Sequence, residues 1–200
     1  VRNGAVLTVV PTEKNGSHMV GVAADGVRAW TGDIGSNTVT ELDLRAGRAL
    51  RSIAVPAQPE AINVTADGSE AWVGSNATGR VSVVDTRSGA VVTAAEGLGW
   101  PYRVLFSPDS RLAIIPDYRG EEVRFLDRAS RAELGRLVMT GSGPQGVAIT
   151  PDGRRLIVSL SSQSRVAIVD VASRSVLGHL SVGETPDGVA YTTFVVPRTR

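Results

Sequence analysis

A chain of 200 residues with a formal charge of +1 and no basic run longer than Arg154-Arg155 carries no electrostatic footprint for nucleic acid or an anionic membrane. The complete lack of cysteine excludes disulfides, thiolate metal sites and cysteine nucleophiles together. No apolar run approaches the roughly 18 residues of a spanning helix, so no membrane span is predicted.

In chain order, the first predicted element is a strand from Ala5 to Val10. Its stretch Gly4-Ala5-Val6-Leu7-Thr8-Val9 matches Gly89-Ala90-Val91-Val92-Thr93-Ala94, so the chain is read as starting in mid-repeat, in a part-copy over 1–16. Full copies follow at 17–58, 59–100, 101–143 and 144–185, and a second part-copy occupies 186–200. Pro144 to Asp170 shows the pattern best, and weaker versions run from Ser17 to Asp43, Pro59 to Asp85 and Pro101 to Asp127. Two marks keep time along the chain. One is Asp25, Asp67, Asp109 and Asp152, the other Asp43, Asp85, Asp127 and Asp170, each spaced by 42, 42 and 43 residues. Such a period signals a solenoid, a propeller or an array.

Within the fourth copy, the run Gly146 to Thr150 is closed by Pro151-Asp152-Gly153. There Pro presets φ, Asp bonds its own backbone and Gly accepts positive φ, which predicts a hairpin turn. Leu156 to Leu160, Arg165 to Val169 and Val176 to Val182 are the next strand-length runs, rich in Val and Ile, and no segment sustains a helical apolar period. Runs such as Leu156-Ile157-Val158 are apolar on both faces, so each sheet needs a cover on either side. The burial open to one copy falls short of the entropy of ordering it, so a unit alone should not fold. An all-β chain of four-stranded antiparallel blades, a β-propeller, follows.

These residues resemble the YVTN-type β-propeller repeat, a family related in pattern to lactonase-like propellers. The shared signature, P-x-G-V-A-x-T-P-D-G and then V-x-V-[VI]-D, is carried by Pro144 to Gly153 and Val166 to Asp170. The family's naming tetrapeptide is degenerate here, its place taken by Trp30-Thr31-Gly32-Asp33, Trp72-Val73-Gly74-Ser75, Ile114-Ile115-Pro116-Asp117 and Ile157-Val158-Ser159-Leu160. The resemblance implies a seven-bladed bacterial or archaeal propeller, often periplasmic, secreted or on the cell surface. Seven blades at this period need about 300 residues. The expectation is therefore an N-terminally truncated part of such a ring; a complete five-bladed ring, its two part-copies sharing one blade, is the second account.

Positions that recur in every copy are explained by the scaffold, so the two aspartate series are read as turn formers rather than as metal ligands or acid-base groups. Gly141-Ser142-Gly143-Pro144-Gln145-Gly146 fits G-x-G-x-x-G, but a strand follows it where a dinucleotide site needs a helix. His18 and His179 are isolated, and no metal or other cofactor site is expected. Asn15, Asn63 and Asn76 stand in glycosylation-type triplets of a kind that arises by chance.

The residue after each copy's opening position varies in chemistry: His18, Glu60, Tyr102, Gln145 and Asp187. Propeller geometry gathers these around the mouth of the channel. The third copy departs most, with Trp100, Tyr102 and Arg103 on one loop and Asp117, Tyr118 and Arg119 on another expected at the same face. Aromatic and Arg side chains concentrate at binding hot spots. These ten residues are the candidate ligand-binding set, weighed against a plain solvated rim. Three functions compete. A non-enzymatic propeller would bind a protein, glycan or small ligand through this face. A lactonase-type hydrolase would draw on His18, Glu60 and Arg103 by residue type. A partner subunit of a cofactor-dependent oxidoreductase is the third.

Overall fold

In the computed structural model, which describes residues 4–192, sixteen strands form four antiparallel sheets of four. The first sheet is β1 (Ser17–Val22), β2 (Arg28–Asp33), β3 (Thr38–Asp43) and β4 (Arg48–Ala54), and the second is β5 (Pro59–Val64), β6 (Glu70–Ser75), β7 (Arg80–Asp85) and β8 (Val91–Ala95). The third is β9 (Leu105–Phe106), β10 (Leu112–Asp117), β11 (Glu122–Asp127) and β12 (Glu133–Val138), and the fourth is β13 (Pro144–Ile149), β14 (Arg155–Leu160), β15 (Arg165–Asp170) and β16 (Ser175–Ser181). Each sheet keeps chain order from first strand to fourth. These are the predicted blades, and the fold is a β-propeller arrangement of four of them.

The turns form for the reason the sequence suggested. Asp25 Oδ1 accepts the amides of Val27 and Arg28 at 2.8 and 3.0 Å, and Asp152 Oδ1 accepts Arg154 N at 3.0 Å and the Thr150 hydroxyl at 2.5 Å. The second series behaves alike: Asp43 takes Ala46 N at 2.8 Å and Asp127 takes Ser130 N at 2.8 Å. In all eight the accepted hydrogen bonds hold the carboxyl below its ordinary value, and the Thr65 hydroxyl with Ser69 brings Asp67 down to about 2. The residue after the first aspartate is left-handed throughout: Gly26, Gly68 and Gly153 at φ 65, 71 and 71°, and in the third copy Ser110 at 57°. Only Ser110 pays the Cβ penalty of that conformation.

Packing runs between successive sheets. The second-strand residue Trp30 meets Ile62, Val64 and Val73 of the second sheet. Trp72 meets Val104, Ala113, Ile115 and Leu126 of the third, with Phe106 edge-on at 5.8 Å. Ile114 meets Leu156, Val158 and Ala167 of the fourth. All three are 0–1% exposed. The equivalent Ile157 is half-buried, and with Val166 and Ile168 it makes the fourth sheet's alternating burial, where β6 and β10 are buried on both faces. Close approach is secured two residues further on, where a Cβ on Gly74 would lie 2.8 Å from the Pro101 carbonyl and 2.9 Å from Ala61 Cβ. Ser159 holds that place in the fourth sheet and donates to the Asp187 carbonyl at 2.6 Å.

Neither part-copy forms a strand among the described residues. Ala5 to Val10 carries no strand, and Val6, Leu7 and Val9 are 80, 96 and 80% exposed. A lone strand has neither a ladder nor a covered face to hold it. Pro186 to Ala190 also lacks strand pairing, although its Asp187 carbonyl rests on Ser159 as a next innermost strand would. The remaining C-terminal residues lie outside those described.

Candidate functional site

Each innermost strand breaks its ladder just after its opening residue. Ser17 pairs with Asp33 and pairing resumes at Val20; Pro59 pairs with Ser75 and resumes at Ala61; Pro144 pairs with Leu160 and resumes at Val147. In the third sheet the gap is widest, from a Pro101–Asp117 bridge to Leu105 opposite Ile114, which is why β9 keeps only two residues. The first residue skipped by the ladder is His18, Glu60, Tyr102 or Gln145. A bulge of this kind re-aims the side chain it carries. The chemically variable positions thus stand outside the pairing at the face where the second-strand ends also lie.

Glu60 anchors the cluster. Its residue is 8% exposed, and Oε2 accepts the Trp100 indole N–H at 3.1 Å and the amide of Asn76. Oε1 faces His18 Nδ1 at 3.9 Å, outside hydrogen-bond reach. Trp100, Tyr102 and Tyr118 form one aromatic group, with centroids 6.1 Å apart for Trp100–Tyr102, 5.7 Å for Trp100–Tyr118 and 6.0 Å for Tyr102–Tyr118. Arg119 lies over Trp100 and Arg103 over Tyr102, each at 4.5 Å from the ring centroid. Arg103 also pairs with Asp187 Oδ1 at 3.2 Å, while the Tyr102 hydroxyl faces Asp187 Oδ2 at 3.4 Å. Burial, reinforced by the Asp187 carboxylate, raises the Tyr102 phenol above its ordinary value, so it stays a neutral donor at pH 7. Ring pairs and stacked guanidiniums add about 0.5–1.5 kcal/mol apiece, enough to hold the group in place before any ligand arrives.

Asp117 plays a different part from the one its position suggested. It is fully buried, and its carboxylate accepts the amides of Gly99 at 2.8 Å, Trp100 at 2.7 Å and Gly120 at 2.9 Å. It ties the two aromatic loops together and does not face the mouth. Asp33 holds the same place in the first sheet, satisfied by the hydroxyls of Ser17, Thr31, Thr38 and Thr40 at 2.6–2.9 Å. Gln145 is half-buried on its bulge. His18, Glu60 and Arg103 are not assembled as a trio: Arg103 turns to Asp187, and the His18 side chain is 55% exposed.

Sequence reasoning passed over two contributors. Asn76 stands at the second-strand end, where Ile34, Tyr118 and Ser161 occupy the other sheets, and that variability was its signal. Asn63 donates to the Val104 carbonyl at 3.0 Å and lines a cup of about 340 Å³ beneath the rim, to which Met19, Ile62, Leu105 and Val147 bring one side chain from each innermost strand. Arg103 reaches both cup and rim. Among the described residues no three His, Asp or Glu side chains group as a metal site, and no helix is long and apolar enough to cross a membrane.

No protein-family model matches this chain, and no curated protein does. Among solved structures, a chain of hydrazine synthase from Kuenenia stuttgartiensis is similar at 26% identity and a TM-score of 0.78, over 88% of this chain and 51% of that one. This chain therefore spans about half the length of that neighbour, a propeller-containing protein, and the likeness supports the β-propeller fold.

Proposed function

We propose that this chain is a non-enzymatic, YVTN-type propeller that binds a ligand through its loop face, in an extracytoplasmic setting. The observation that carries the reading is the aromatic and Arg group of the third sheet, held by the buried Glu60 and Asp117 and left part-exposed, with Arg103 reaching the cup. Buried anchors surrounded by preorganised rings are what a binding hot spot is made of. The third copy's departure from its siblings supports the same reading, because scaffold needs explain what repeats and not what differs.

The test uses saturation-transfer NMR on a mixed library of amino acids, short peptides, nucleotides, sugars and organic acids. Binders should lose their signal in the Trp100→Ala/Tyr118→Ala double variant, keep it in Val92→Ser on the outer strand β8, and be recovered unchanged. A library in which no compound depends on the rim overturns the reading, as does turnover of a bound compound. Hydrolysis of a lactone that disappears in Glu60→Ala would favour the hydrolase instead.

A second reading, a propeller partner of a cofactor-dependent oxidoreductase, is supported by the likeness to hydrazine synthase over 88% of this chain. In that case the rim would meet a protein, and its aromatic and Arg groups would serve as the anchors of that contact.

A further inference from the structure

We propose that the rim takes a neutral, hydroxyl-rich ring ligand, a sugar unit of a glycan, set with its C–H surface in the corner between the Trp100 and Tyr118 rings and its hydroxyls read by Glu60 and Asp187. This rests on the loop-face reading above and names the chemistry of what it binds.

Charge balance narrows the choice first. The groups that meet at the mouth are two carboxylates, Glu60 and Asp187, and two guanidiniums, Arg103 and Arg119, joined to one another through the aromatic rings. Asp117 is fully buried with its acceptor positions filled by three backbone amides, so a ligand at the mouth does not meet it. A cationic ligand would call for surplus carboxylate and an anionic one for surplus guanidinium, so the set suits a ligand without net charge.

Polarity narrows it second. A wholly apolar ligand would cover Glu60 Oε1 without offering it a donor, and desolvating a carboxylate oxygen with no hydrogen-bond partner is costly. The ligand must therefore bring donors. Glu60 Oε1 faces His18 Nδ1 at 3.9 Å, too far for a hydrogen bond, and the carboxylate is already oriented by two donors on its other oxygen. Shape narrows it third. Three rings within 6.1 Å of one another, tilted at 45–84°, make an apolar corner beside these acceptors. A molecule that is apolar on one face, bristling with hydroxyls at its edge and uncharged is a pyranose.

Tryptophan emission supplies the assay, since Trp30 and Trp72 are 1% and 0% exposed and Trp100 alone is placed to sense a ligand. The probes are hexamers of glucose, mannose and N-acetylglucosamine, with hexagalacturonate and fully deacetylated chitohexaose as the charged pair. At least one neutral hexamer should shift emission to the blue and bind in calorimetry with an affinity that changes less than twofold between 0.05 and 0.5 M salt, because screening acts on charges. Glu60→Gln should weaken it at least tenfold and Tyr118→Phe hardly at all. Binding only by a charged hexamer, with strong salt dependence, overturns the sugar class while the loop-face reading stands. Silence from every hexamer also overturns it, and the mixed library then decides separately whether the rim binds anything.

Discussion

Asp117 is the residue on which fold and rim meet most directly, and its replacement by Asn isolates one of its bonds. Oδ1 accepts Trp100 N at 2.7 Å and Gly120 N at 2.9 Å, and an Asn carbonyl can keep both. Oδ2 accepts Gly99 N at 2.8 Å, and there an Asn amide would set donor against donor. The loss is one hydrogen bond to a buried charge, worth about 1.5–3 kcal/mol. For a chain of this size that is roughly 3–12 °C in Tm. Asp117→Ala orphans all three amides and should cost more, about 1–3 kcal/mol for each buried donor left unpaired. Urea unfolding followed by far-UV circular dichroism gives the stability, and Trp emission of the folded variants gives the loop. Both variants should redden emission, because Trp100 loses its backbone tether while Trp30 and Trp72 stay enclosed. An Asp117→Asn protein within 0.5 kcal/mol of wild type, with unchanged emission, would refute the role given to this carboxylate.

Ser110→Gly should stabilise the chain by about 1 kcal/mol, read as a higher Tm, because it removes the Cβ from a left-handed site at φ 57° that Gly fills in the other copies. Gly74→Val should destabilise it by about 1–3 kcal/mol in urea unfolding, since its Cβ alone would sit 2.8 Å from the Pro101 carbonyl. The turn aspartates give an acid limb. Their folded pKa values lie below the unfolded value of 3.8, so their contribution is whole above about pH 5 and is lost as pH falls through the folded values, toward about 2 for Asp67. Stability measured from pH 6 to pH 2 should fall over that window, and Asp67→Asn should flatten the limb.

The four-stranded antiparallel sheets and both aspartate roles were legible because a repeat writes the same physics four times. Copy-to-copy comparison separates scaffold from exception without any other sequence. It also pointed to the third copy, whose Trp100, Tyr102, Tyr118 and Arg103 the structure does gather. Asp117 misled because a second-strand end reads as a loop residue, while its burial follows from amides that only the folded loops bring to it. The Arg103–Asp187 pair joins residues 84 apart and has no local signature. The part-copies misled in the opposite direction: their strand pattern is intact, but strand pairing is a property of neighbours and not of the segment.

The ladder break at the head of each innermost strand has a consequence for how such a chain can change. A substitution at position 18, 60, 102 or 145 alters no cross-strand partner, so the pairing that keeps a sheet intact does not constrain which chemistry is offered there. New specificities can accumulate at the mouth one residue at a time while the leaves beneath stay the same, which lets a monotonous architecture acquire unrelated clients.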